Sequence, residues 1–319
     1  MAKPPPEGLT TLAVTTGDPA GIGPEICVDA GTATLGADPG LRLRVYGDAA
    51  LFPASFVKHP QVTFCQRPCA VSAHPGKPDA ANGPYVMGLI ADAVADIQAG
   101  AAQGLVTAPI AKTVLYKAGF AFPGHTEFLG HLAGGGATYM MLASTELRVV
   151  PVTLHQSLAS AIGDLTSAKI IAAAQATNAA LKDWFALAAP RLVICGLNPH
   201  AGEQGYLGHE DEAIVRPAVE ALRAQGIDIR GPLPADTLFH AAARRNYDCA
   251  LGLYHDQVMI PIKALTFESA VNLTLGLPFV RTSPDHGTAF DIAGRGQAEA
   301  SSIRAAIELA AQLSRQQGP

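Results

Sequence analysis

Three histidines stand where apolar stretches give out. His155 follows Leu147-Arg148-Val149-Val150, His200 follows Arg191-Leu192-Val193-Ile194-Cys195, and His255 follows Cys249-Ala250-Leu251-Gly252-Leu253. Their immediate neighbours are polar and turn-forming, as in Asn198-Pro199-His200-Ala201-Gly202-Glu203 and Tyr254-His255-Asp256-Gln257. Strand ends are where open α/β sheets collect ligands. Three imidazoles from three strand ends can hold a divalent metal and leave positions open for substrate. Asp256 and Glu203 are placed to act as extra ligands or to orient the rings. The gaps of 45 (200 − 155) and 55 (255 − 200) residues carry no local spacing signature. Each histidine alone suits a structural role better than a ligating one, so the case rests on their shared strand-end position and polar neighbours.

A second group of residues suits an anion. Lys263, Asn272 and Arg281 recur every nine residues (272 − 263; 281 − 272) among apolar and turn-forming neighbours. Two cations around an amide fit a small anionic ligand, and arginine binds phosphate or carboxylate through two parallel hydrogen bonds. Thr107-Ala108-Pro109-Ile110-Ala111-Lys112 ends a strand on a hydroxyl and closes with a cation. In Gly124-His125-Thr126-Glu127, imidazole and hydroxyl stand side by side, able to donate to one cluster of anion oxygens. Thr126 there is equally a helix N-cap with Glu127 in the first turn. Thr16-Gly17-Asp18-Pro19-Ala20-Gly21-Ile22-Gly23-Pro24 leads from a strand into a helix. It reads either as a backbone cradle for an anion or as a tight turn that needs glycine. It is neither a P-loop nor a dinucleotide fingerprint, because no Gly-Lys-Ser/Thr follows and no G-x-G-x-x-G occurs in the chain.

The elements that must position these residues alternate. Strand-like runs are predicted at 11–16, 43–46, 104–107, 148–153, 191–195, 227–231 and 250–253. Helix-like runs are predicted at 24–30, 86–99, 168–181, 211–225, 237–244 and 301–313. That alternation predicts an α/β architecture with a largely parallel sheet. The 319 residues, 49% hydrophobic and 15% charged, suffice for one large core or two smaller ones. A net charge of −5 offers no basic footprint for nucleic acid. No apolar run approaches the roughly 18–20 residues of a membrane span, and Met1–Glu7 lacks the apolar stretch of a signal peptide. Cys27, Cys65, Cys69, Cys195 and Cys249 have no second Cys pair to complete a zinc ribbon and read as reduced thiols of a cytoplasmic protein.

Taken together, the motifs resemble the 4-hydroxythreonine-4-phosphate dehydrogenase family of vitamin B6 biosynthesis. The likeness runs nearly the full length, through the 16–25 turn, Thr107-Ala108-Pro109-Ile110, Gly124-His125-Thr126-Glu127, Asn198–Glu203, Gly231–Thr237, Tyr254–Gln257 and Asn272–Asp291. It implies an isocitrate/isopropylmalate dehydrogenase-like α/β fold. Two α/β/α lobes would share a continuous mixed sheet with a cleft between them, lobe one being 1–122 plus 275–319 and lobe two 123–274. It implies a homodimer with the active site at the subunit interface and the dimer contact in lobe two. It implies His155, His200 and His255 as ligands of a divalent metal, one of them reaching in from the partner. His125, Thr126, Lys263, Asn272 and Arg281 would bind substrate, and Asp236, Asp256 and Lys263 are the candidate proton acceptors.

The implied reaction is oxidation of 4-phosphohydroxy-L-threonine by NAD or NADP, with decarboxylation to 3-amino-2-oxopropyl phosphate. Imidazole ligands suit zinc, cobalt or nickel, whereas magnesium prefers oxygen. The alternatives are a relative acting on a phosphorylated threonate or erythronate or on a carboxylated cis-diol, and a metal-dependent binding protein without turnover.

Overall fold

The computed structural model describes residues 8–316, so the reading of Met1–Glu7 lies outside the described residues. The chain forms two compact units. Unit 1 runs to Thr138 and resumes at Val271, and unit 2 is Tyr139–Ala270. The expected lobe boundaries, 122/123 and 274/275, therefore shift. Residues 123–138 stay with unit 1 because Phe128 and Leu129 pack into its core, and Val271 onward stays there because it pairs with the following strand.

Unit 1 begins with β1 (Thr10–Thr15), α1 (Gly23–Ala37), β2 (Leu41–Gly47), α2 (Ala54–Val57), β3 (Val62–Gln66), α3 (Gly83–Gln98), β4 (Gly104–Thr107), α4 (Lys112–Lys117) and α5 (His125–Leu132). Unit 2 comprises β5 (Tyr139–Ala143), β6 (Arg148–Pro151), α6 (Leu158–Asp164), α7 (Ser167–Asp183), β7 (Arg191–Cys195), α8 (Arg216–Ala224), β8 (Asp228–Leu233), α9 (Ala241–Arg244), β9 (Cys249–Gly252) and α10 (His255–Thr266). Unit 1 is completed by β10 (Val271–Leu275), β11 (Val280–Pro284) and α11 (Ser301–Gln316).

The unit 1 strands lie in the order β3-β2-β1-β4-β11-β10, all parallel except the antiparallel β10–β11 pair. In unit 2 the order is β5-β6-β9-β7-β8, with only β5–β6 antiparallel. The α/β class is as expected, and each antiparallel pair makes its sheet mixed rather than parallel throughout. Every residue of β4 and of β9 is buried. That is the pattern of parallel strands covered by helices on both faces. In unit 1, α3 supplies Leu89 and Ile90 to a core with Leu105, Leu115 and Leu129. In unit 2, α10 supplies Val258 and Ile262 to a core with Leu142, Val149, Val193 and Ala250.

The 16–23 turn is built for close packing. Gly17 has φ +73°, and a Cβ there would stand 2.2 Å from the Pro109 carbonyl oxygen. The Asp18 N–H donates to that same oxygen at 3.1 Å, so the glycine is required by the turn itself. Pro24 opens α1 as predicted. Four strands, β3, β5, β10 and β11, and the helices α2, α4, α5, α6 and α10 were not among the predicted elements. The predicted 237–244 helix is reduced to α9, because His240 is extended (φ −74°, ψ 157°) immediately before it.

Candidate functional site: an anion pocket and a histidine edge

Unit 1 holds a buried cation. Arg281 lies on β11, and the register Asn272↔Ser283, Leu273↔Thr282 sets it opposite Thr274 on β10. Asn272 falls two residues along β10 and so shares their face of the sheet. The guanidinium is only 3% exposed. It donates through NH1 to Thr274 Oγ1 at 2.9 Å and through NH2 to Thr107 Oγ1 at 2.6 Å, at the end of β4. NH2 also lies 3.3 Å from His125 Nδ1, on the first residue of α5. No carboxylate pairs with Arg281 among the described residues, and its Nε is buried without a partner. Burial pulls its pKa from the usual 12.5 down to about 10. Burial, then the charges of Arg281 and Lys112, hold the His125 pKa well below the ordinary imidazole value, so the ring is neutral. His125 Nε2 is also sealed from solvent without a partner. A cation held dry without a counter-charge is unfavourable by itself and is relieved by an anion.

Unit 2 carries the histidines. β6, β9 and β7 are adjacent and parallel, so the segments after them leave the same edge of the sheet. His155 follows β6, His255 is the first residue of α10 after β9, and His200 lies in the turn after β7. The His155 and His255 rings stand 5.5 Å apart, centroid to centroid. Both line a cavity of about 440 Å3 with Thr153, Tyr254 and Asp256. His255 Nδ1 donates to Asp256 Oδ1 at 2.6 Å. That leaves Nε2 as the lone-pair donor, the arrangement metal-bound imidazoles use. His200 does not line this cavity. It heads a run of left-handed residues, from φ 54° at His200 to φ 57° at Gln204. Among the described residues no three His, Cys, Asp or Glu side chains are grouped to hold a metal.

Of the other candidates, Lys263 is half-buried on α10 and Asp236 is exposed in the turn after β8. Thr126 is half-buried in α5, where Gly124 occupies the N-cap without a side-chain bond. It is therefore not the cap that its sequence also allowed. The sequence reading did not single out Thr274 for the site. The alternation in Val271-Asn272-Leu273-Thr274-Leu275 was the available signal, since it puts Asn272 and Thr274 on one polar face. Asp211 was missed as well. It is fully buried and accepts from Leu197 N at 2.7 Å, Asn198 N at 3.0 Å and Asn198 Nδ2 at 3.1 Å. Those bonds fold the loop that carries His200, and Gln257 braces it by donating to Gly196 O at 2.6 Å. Asp211→Ala is expected to lower stability by about 3 kcal/mol, from stranded donors and lost charge-assisted bonds, and to lower kcat. Urea titration of the variant checks this.

A buried cation without a carboxylate partner in one α/β unit and a histidine-lined cavity at the strand ends of another are features of an enzyme rather than of a purely structural protein. The profile of one family, "Pyridoxal phosphate biosynthetic protein PdxA", matches residues 40–310, and the chain belongs to that family. A 4-hydroxythreonine-4-phosphate dehydrogenase of Xanthobacter autotrophicus is 50% identical over 325 residues, covering 95% of this chain and 93% of the relative. The crystal structure of the enzyme of that name from Klebsiella pneumoniae superposes with a TM-score of 0.86 at 37% identity, covering 96% and 99% of the two chains. A terephthalate 1,2-cis-dihydrodiol dehydrogenase of Burkholderia xenovorans superposes with a TM-score of 0.69 at 28% identity, covering 95% and 98%.

Proposed function

We propose that this chain oxidises 4-phosphohydroxy-L-threonine with NAD or NADP and a divalent metal, and decarboxylates the product to 3-amino-2-oxopropyl phosphate for pyridoxal phosphate synthesis. The observation that carries the reading is Arg281, buried beside His125 without an acidic partner. Its donors, with Lys112, Thr126 and Asn272, suit the anionic end of such a substrate. Lys263 and Asp236 are the candidate proton acceptors. Asp256 is engaged by His255 Nδ1 and suits the role of orienting that ring.

Two of the three histidines, His155 and His255, line one cavity, and that pair suits the implied metal. His155 and His255, with His200, offer imidazole donors for zinc or cobalt more readily than for magnesium. For the dinucleotide, an apolar cavity of about 400 Å3 in unit 1 is lined by Pro19, Gly21, Pro24, Glu25, Leu51 and Gly294. It suits a flat heteroaromatic ring, and Glu25 Oε1, buried without a partner, suits a ribose hydroxyl. When bound, the metal would lower the alcohol's pKa and stabilise the enolate left by carbon dioxide, and NAD(P) would take the hydride. Chelation with EDTA is expected to abolish NADH formation, and zinc or cobalt to restore it. Undiminished activity after chelation contradicts the metal's role.

The resemblance to a cis-dihydrodiol dehydrogenase supports a second reading, a carboxylated diol substrate, which differs in lacking phosphate.

A homodimer in the cytoplasm completes the proposal. Unit 2 exposes Leu158 and Ile162 on α6, Ile260 on α10, Phe267 just beyond it, and Tyr206, the last 86% exposed. Exposed apolar groups of this size suit an interaction surface. No helix among the described residues is long and apolar enough to cross a membrane. Phe267→Glu is expected to shift the protein from dimer to monomer in sedimentation velocity at micromolar concentration. A dimer of unchanged strength removes this face from the interface.

A further inference from the structure

We infer that Arg281 acts partly through His125, locking it as the Nε2–H tautomer, so that the ring meets an anion as a hydrogen-bond donor. This rests on the anion-anchor reading above and adds to it the tautomer of the ring.

Arginine has donors and no acceptor. An Arg281 NH2 group 3.3 Å from His125 Nδ1 therefore requires a lone pair on Nδ1, and the proton of the neutral ring must sit on Nε2. The guanidinium cannot swing away readily, because Thr274 and Thr107 accept from NH1 and NH2 at 2.9 and 2.6 Å. These threonines are positioning residues that aim NH2 at the ring. The charged groups acting on His125 are Arg281 on β11 and Lys112 on α4. Both cations oppose a second proton on the ring. Two buried atoms are then donors without acceptors, His125 Nε2 and Arg281 Nε. Neither atom can accept a proton from a ligand oxygen, whereas an ionised phosphate or carboxylate oxygen accepts from both.

The test uses full-length protein labelled with 15N-histidine, observed by long-range 1H–15N correlation from pH 5.5 to 8.5, with His125 assigned by its loss in His125→Gln. The expected spectrum is a single Nε2–H tautomer that does not titrate. A tautomer mixture, an Nδ1–H ring or a titrating imidazolium overturns the inference. In Thr107→Val the same resonances are expected to split or average between tautomers, which a merely structural threonine would not cause, and an unchanged tautomer there removes Thr107 as a positioning residue. Inorganic phosphate is the binding probe. Its affinity is expected to rise about tenfold as pH climbs through the second ionisation of phosphate, because the dianion strengthens charge-assisted bonds from both donors. An affinity that is flat or falls with pH contradicts His125 Nε2 and Arg281 Nε as the donors to the anion. The His125→Gln side chain places an amide donor where Nε2–H was and should retain phosphate binding that His125→Ala loses. Equal loss in both contradicts the donor role. None of these readouts depends on turnover of 4-phosphohydroxy-L-threonine, so failure of the substrate assignment remains separate.

Discussion

Arg281→Ala is expected to lower kcat/KM about 100- to 1000-fold, chiefly through KM, while leaving thermal stability nearly unchanged. The two halves of this expectation have one cause. At neutral pH the buried guanidinium is charged, and its pKa of about 10 against 12.5 in the open corresponds to roughly 3 kcal/mol of destabilisation. The sign is that of a base with a lowered folded-state pKa. The penalty holds at every pH below about 10 and fades only as pH approaches the unfolded value. Removing the side chain removes that penalty, which offsets the cavity and the stranded Thr107 and Thr274 hydroxyls. Substrate loses charge-assisted bonds worth about 1.5–3 kcal/mol each. Steady-state kinetics with calorimetry checks both halves. An analogue lacking both phosphate and carboxylate should be nearly indifferent to the substitution, and an equal loss for that analogue contradicts the anchor.

His200→Ala is the second large effect, a fall in kcat of about 1000-fold or more with the fold intact. The side chain is exposed in a turn whose shape is set by Asp211 and Gln257 rather than by the imidazole, so its removal should leave the melting temperature within about 1 °C. On the proposed metal role, the substitution should also lower the bound metal measured after dialysis. Unchanged turnover at saturating substrate takes His200 out of the metal site.

These two residues show how far the sequence could be read. The histidines were legible because three apolar runs end just before them, and β6, β9 and β7 are indeed parallel neighbours with His155, His200 and His255 beyond their ends. The α10 helix was not legible. Leu253-Tyr254-His255-Asp256-Gln257 reads as a turn, and Pro261 argues against helix, yet burial of Val258 and Ile262 in the unit 2 core overrides both. Arg281 was legible as a cation among apolar neighbours, but its partners Thr274 and His125 lie 7 and 156 residues away in sequence. Only the β10–β11 register and the packing of α5 bring them to it. The even spacing of Lys263, Asn272 and Arg281 had no structural meaning of its own, since Lys263 lies on a unit 2 helix and the other two on paired unit 1 strands. Asp211 could not be told from any acid in a helix's first turn.

The most direct measurement is NADH absorbance with purified, metal-reconstituted protein, offering 4-phosphohydroxy-L-threonine beside 4-phosphothreonate and a carboxylated cis-diol. The expected result is preferential turnover of the amino acid, with 3-amino-2-oxopropyl phosphate as product. Preference for the threonate or the diol, with little turnover of the amino acid, contradicts the substrate assignment.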